Sequence, residues 1–189
     1  MPQSASCELL TERLRITPFR DSDTPVFHAY RNEPETARYQ SWSVPYSRKA
    51  AADFILWAGD ATLGEFSGSC QFAIRLRETD ELIGDIAVLG DLSNGRQVML
   101  GYTLAQRFQG NGYAYEACLA MLDHAFGKWE MHRIAADTDP RNLASKRLLE
   151  RLGFRLEGHM IECYQDTDGR WLDSDLYALL AREWLKERS

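Results

Sequence analysis

The stretch Gln106-Arg107-Phe108-Gln109-Gly110-Asn111-Gly112-Tyr113-Ala114 sets two glycines one residue apart, with an arginine upstream and no proline. A chain reversal alone does not require this arrangement. The first amides of a helix have no intrahelical acceptor, the helix dipole adds partial positive charge there, and glycines let an anion reach the backbone. The chemistry this suits is capture of a pyrophosphate by the N–H groups of Gln109 to Ala114. A nucleotide P-loop would need Lys and Ser or Thr after its last glycine, but Tyr113 stands there. A dinucleotide fingerprint would need Gly or Ala where Tyr115 stands. The remaining alternative is a glycine turn that serves only the chain path.

Two acids are candidate general bases. Asp85 sits in an apolar strand pattern, where a carboxylate must be paired, placed at a site or raised in pKa. Glu162 follows Gly158 in a later strand, with Tyr164 beside it. Salt bridging or exposure on an edge strand would explain either acid equally well. The histidines (His28, His124, His132, His159) and cysteines (Cys7, Cys70, Cys118, Cys163) are scattered, without metal-ligand spacing. No metal is expected, and reduced thiols in a cytoplasmic protein are.

The chain that must position these groups has 189 residues. That length suits a single domain, residues 1–189. The net charge of −6 argues against a general nucleic-acid or membrane-surface binder. No apolar run approaches the roughly 20 residues that span a bilayer. The start, "MPQSASCELL", lacks the pattern of a secretion signal.

"RLRITPF" predicts a strand, and Asp21 or Ser22 can cap the helix that follows, with Pro25 near its first turn. Tyr39, Trp42 and Tyr46 mark an aromatic loop or short helix, and Ser47 opens another helix. "QFAIRLR", "ELIGDIAVL" and "QVMLGYTL" read as strands, the last two joined at Asn94-Gly95. Ala114, Ala117, Cys118, Met121, Leu122 and Ala125 mark the cleanest helix. The strand "HRIAADT" is followed by a helix capped by Asn142 and ended by Gly153. Two final strands meet at Asp168-Gly169, and "AREWLKERS" is a charged end. The order is strand, two helices, three strands, helix, strand, helix, two strands. It predicts a mixed α/β (α+β) fold, mostly antiparallel with a parallel step around the glycine loop.

Arg107-Phe108-Gln109-Gly110-Asn111-Gly112 resembles the acetyl-CoA pyrophosphate loop of the GNAT (Gcn5-related N-acetyltransferase) superfamily. "TERLRITPF", "DPRNLASKRLLERLGFRLEG" and "DGRWLDSDLYALL" are similar to the RimJ/RimL branch of ribosomal-protein N-acetyltransferases. The resemblance runs from about Leu10 to Trp184, and the family fold agrees with the element order. It implies acetyl-CoA as donor, with the pantetheine arm beside Val98 to Leu104. Tyr102, Thr103 and Leu104 would then join Gln109, Gly110, Asn111, Gly112, Tyr113 and Ala114 in cofactor binding. Asn142 would touch the pantetheine and Ser145 would point at the thioester sulfur. Arg141, Lys146, Arg147, Arg151 and Arg155 cluster around one helix. They either form a solvated face or, with Arg107, supply contacts to the 3′-phosphate, Arg147 foremost.

Acetyl transfer needs a neutral amine, a polarised carbonyl and a proton or hydrogen bond for the leaving thiolate. The superfamily's usual tyrosine acid would stand at Leu149 and is absent. Ser145 is the expected substitute, and amides near Leu100 to Tyr102 are the expected oxyanion donors. A lysine side chain is about 0.1% neutral at pH 7.4 and an α-amine roughly 20–30%. A site without an obvious strong base therefore favours the N-terminal α-amine of a protein. A small amine (amino acid, polyamine, aminoglycoside) or a non-catalytic acyl-CoA-binding module are the alternatives. The chain would act as monomer or homodimer.

Overall fold

The computed structural model describes residues 8–91, 93, 96–166 and 168–186. Cys7 and the Asn94-Gly95 turn lie outside the described residues. An eight-stranded sheet runs in the order β1-β2-β3-β4-β5-β6-β8-β7. Its strands are β1 (Leu9–Leu10), β2 (Leu14–Thr17), β3 (Cys70–Leu76), β4 (Leu82–Asp91), β5 (Gln97–Leu104), β6 (Arg133–Thr138), β7 (Arg155–Gln165) and β8 (Trp171–Leu180). Every neighbouring pair is antiparallel except β5–β6. That parallel step needs a crossover, which the glycine loop and α4 (Tyr113–Gly127) supply. The expected mixed, mostly antiparallel fold is the one observed.

The pleat assigns the two faces. Leu14, Ile16, Ile86, Val88, Val98, Leu100 and Ile134 pack with α4 residues Cys118, Met121 and Leu122 in the larger core. The opposite face carries Ala73 and packs against α1 (Thr24–Arg31) and α3 (Arg48–Gly59) through Phe27, Tyr30 and Ile55. Helix α5 (Leu143–Arg151) buries Leu149 against the first core and stops at Gly153, whose φ is 87°. Asn142 caps it by accepting from the Ser145 amide at 3.1 Å, and Ser47 caps α3 by accepting from Ala50 at 3.0 Å. The β7–β8 hairpin turns at Gly169 (φ 80°), where Asp166 accepts from the amides of Asp168 and Arg170.

One expectation is corrected and two are made more specific. Asp21 and Ser22 do not cap α1. They lie in a 3-10 turn, and Asp23 occupies the cap position while its carboxylate is committed to the Arg20 amide and Arg75. The segment after Asn32 contains a short helix, α2 (Pro34–Ala37). The charged end begins with a helix, α6 (Ala181–Lys186), because Trp184 is buried beside Phe126. One apolar anchor among charges is too sparse a pattern to signal a helix from the sequence.

Candidate acetyl-transfer site

Strands β5 and β6 pair only from Gln97↔Arg133 to Met99↔Ala135. Beyond that, β5 stays with β4 to Leu104 and β6 stays with β8 to Thr138. The two strands therefore part, and a gap opens through the sheet. The Ala105 amide donates to the Ile83 carbonyl at 2.9 Å. This fixes the alternation of the β4–β5 ladder: Thr103 and Gly101 bond toward β4. Tyr102 therefore turns its N–H and C=O toward the gap and Leu100 turns its C=O there, while the Leu100 N–H still belongs to the Met99↔Ala135 pairing.

Two grooves meet at that gap. One, of about 460 Å³, lies between the glycine loop and α5. The other, of about 330 Å³, lies on the α1–α3 side and is floored by Asp85, Ala87 and Gly101. Tyr39, Gln40, Tyr102, Thr103, Asn142 and Ser145 line both. The Tyr102 hydroxyl and Ser145 Oγ are 2.8 Å apart. Burial pushes the Tyr102 phenol above its ordinary value, with the neighbouring Cys118 thiol adding to the rise. Tyr102 thus keeps its proton at neutral pH. Its pairing with Ser145 has no signal in the sequence, where Tyr102 is an alternating strand residue expected among the cofactor contacts.

The glycine loop is shaped as an anion cradle. Gly110 and Gly112 have φ of 77° and 80°, which other residues adopt only with strain. Among the described residues, the amides of Gly110, Asn111, Gly112, Tyr113 and Ala114 have no acceptor within the chain. Gln109 differs from expectation. Its amide closes the 3-10 turn on the Gln106 carbonyl at 3.1 Å, and its side chain donates to the Leu104 carbonyl. Arg13 fixes the loop from behind: it donates to the Asn111 carbonyl, pairs with Glu116 at 2.7 Å and stacks over Tyr113.

Of the expected cofactor residues, Tyr102, Thr103, Leu104, Gln109, Gly110, Gly112, Tyr113, Ala114, Asn142, Ser145 and Arg147 line the first groove. Asn111 and Arg107 do not. The Asn111 side chain bonds back to the carbonyls of Phe108 and Gln109. Arg107 pairs with Glu81 and lies over Phe108. The basic cluster divides likewise. Arg141, Lys146 and Arg155 are tied to Asp139, Asp175 and the pair Glu157/Glu183. Arg147 and Arg151 line the groove without a carboxylate partner among the described residues.

The two candidate bases fare differently. Asp85 is on the floor of the second groove, 1% exposed, and accepts from Tyr30 Oη (2.6 Å), Arg31 Nη2 (3.2 Å) and Gln71 Nε2. Arg31 is sandwiched between Trp42, 3.6 Å from the ring centre, and Phe27, 4.6 Å away. Glu162 sits exposed at a bulge of β7, with φ 46°, and lines neither groove. In the aromatic segment, Tyr39 and Trp42 line the second groove, whereas Tyr46 packs on Phe27.

Residues 13–155 match the model of the acetyltransferase (GNAT) domain. The chain belongs to the GNAT family. It is an acetyl-CoA-dependent N-acyltransferase. It is 33% identical over 177 residues to the uncharacterized N-acetyltransferase p20 of Bacillus licheniformis, covering 93% of this chain and 97% of that one. Over 89 residues it is 39% identical to the [ribosomal protein uS5]-alanine N-acetyltransferase of Escherichia coli, 47% of this chain and 45% of that protein. It superposes on Mycobacterium smegmatis RimJ in complex with CoA-disulfide with a TM-score of 0.75, at 25% identity, covering 90% of this chain and 83% of that one. Among the described residues, no helix is long and apolar enough to cross a membrane.

Proposed function

We propose that this GNAT domain transfers the acetyl group of acetyl-CoA to the N-terminal α-amine of a protein, in the cytoplasm. The observation that carries the transfer step is the meeting of two grooves at Tyr102 and Ser145. Acetyl-CoA fits the first. Its pyrophosphate would accept from the amides of Gly110 to Ala114, Arg147 and Arg151 would meet further phosphate charge, and the thioester would reach the gap beside Ser145.

An amine entering from the second groove attacks the carbonyl carbon. The Tyr102 amide, facing the gap, stabilises the negative charge that develops on the carbonyl oxygen. The carbon–sulfur bond breaks, and Ser145 Oγ donates its proton to the departing sulfur. Tyr102 Oη, neutral and 2.8 Å away, resupplies Ser145. The amine releases one proton and the sulfur gains one, so the exchange balances through solvent.

The choice of a protein terminus rests on the shape of the acceptor side. The segment Tyr39–Trp42 walls both the second groove and a further one of about 300 Å³ that reaches Tyr164, Asp166 and Arg170 of the β7–β8 hairpin. An extended chain can lie along such a surface. The Escherichia coli relative named for uS5 alanine supports this reading. The volume of the second groove, about 330 Å³, favours a small amine as the second reading, since it reaches the range of small-molecule pockets.

The test is a panel of peptides with free N-termini, alongside amino acids, polyamines and aminoglycosides, followed by CoA release and mass spectrometry. Acetylated peptide N-termini support the proposal, and turnover confined to small amines selects the second reading. Binding of acetyl-CoA without acetylation of any amine would make the chain a non-catalytic module.

A further inference from the structure

The second groove is lined by three charged side chains: Arg31, Asp85 and Asp137. The first two cancel. Asp85 is 1% exposed with three donors on its carboxylate, and one of them is Arg31. This pair cannot take a new cation without breaking a buried network.

Asp137 is in the opposite condition. It is the exposed residue in an otherwise mostly buried strand, β6. Its backbone pairs with Leu176 of β8, but its carboxylate has no hydrogen-bond or ion-pair partner among the described residues. Its place follows from the register. Met99 faces Ala135 where β5 and β6 last pair, so two residues further on Gly101 and Asp137 share the same sheet face across the gap. Gly101, which has no side chain, lies opposite Ala87, and this leaves the floor open between them and Asp137. The carboxylate therefore borders the opening through which the amine must reach the thioester. It is the groove's one uncompensated charge among the described residues, and it is negative. Trp42, Leu89 and Met99 supply apolar wall nearby.

We propose that Asp137 is the acceptor-binding carboxylate. It receives the protonated amine at the mouth of the β5–β6 gap, and the acceptor class is a cationic primary amine followed by an apolar group. This rests on the acetyl-transfer reading above and adds to it the residue that selects the acceptor. A charge-assisted hydrogen bond is among the stronger polar contacts, and Asp137 holds it without giving up any internal partner. The bound ammonium loses its proton before attack, and the exposed carboxylate leaves that proton a route to solvent.

The experiment compares wild type with Asp137→Asn and Asp137→Glu, using peptides with N-terminal Ala or Ser followed by Leu or by Gly, and a linear polyamine. Acetyl-CoA affinity is measured by calorimetry in parallel. The proposal expects Asp137→Asn to raise the acceptor KM by about 10-fold or more. Affinity for acetyl-CoA and the melting temperature should stay unchanged, Asp137→Glu should recover part of the loss, and Leu peptides should outcompete Gly peptides. An acceptor KM within about two-fold of wild type in Asp137→Asn makes Asp137 a solvated surface acid and overturns the proposal while leaving the transferase reading intact. Equal loss of acetyl-CoA affinity also overturns it, as damage to the fold. If wild type acetylates no member of the panel, the transferase reading falls and takes this one with it.

Discussion

The hydroxyl of Tyr102 and the Oγ of Ser145 lie 2.8 Å apart and join β5 to α5 at the point where both grooves open. Two residues 43 positions apart in sequence thereby fix a strand to a helix at the proposed sulfur position.

Replacing Ser145 by Ala should lower kcat by about 100-fold, the scale of one lost transition-state donor. Tyr102→Phe should cost less, because Ser145 keeps its own proton for the first transfer. The double variant should be hardly worse than Ser145→Ala alone, since both act through one hydrogen-bond chain. Additive losses in steady-state kinetics would show that the two hydroxyls work independently.

Gly110 and Gly112 are predicted to matter for conformation. A methyl group at Gly110 would meet nothing within 4 Å, yet φ is 77° there. Forcing a side chain into that region costs about 1–2 kcal/mol. Gly110→Ala should therefore weaken acetyl-CoA binding by about 10-fold with little change in the acceptor KM, as calorimetry and kinetics would reveal. Unchanged affinity would mean that the loop tolerates another conformation.

Much of this site was legible in the sequence. The glycine spacing, the Asn142 cap and the Gly153 stop depend on local backbone needs, and these are written in a few neighbouring residues. Arg107 and Glu162 were harder. Whether an arginine meets a phosphate or Glu81 depends on which way a 3-10 turn faces. Whether an acid in a strand reaches a cleft depends on bulges, and β7 has two register shifts. Asp137 carried no local signal. Its role follows from the point at which two strands stop pairing, which is a property of the whole sheet.

The Arg31–Asp85 pair should be structural. Both side chains are more than nine-tenths buried. Arg31→Met would leave a buried carboxylate without its cation and should destabilise the fold by about 3–5 kcal/mol. Arg31→Met combined with Asp85→Leu should be closer to neutral. Denaturant titrations test this, and equal destabilisation by the single and double variants would contradict it.

His159 gives the stability a pH dependence. Its hydrogen bond to Asp175, at 2.7 Å, and the charges of Asp175 and Asp173 raise its pKa above the usual value. A raised folded pKa stabilises the protein fully below the unfolded value, near 6.5, and that gain is lost as pH rises through the folded pKa. Wild type should therefore melt above His159→Gln at pH 5.5, and the difference should vanish by pH 9. A constant difference across that range would assign His159 a packing role instead.

The central claim is that the backbone amides of Gly110 to Ala114 hold the pyrophosphate of acetyl-CoA. Amide-resolved NMR during a titration with acetyl-CoA tests it most directly. The account predicts that these five amides shift downfield and become the most protected from exchange as binding saturates. Saturable binding that leaves them unmoved, while amides elsewhere respond, would contradict it.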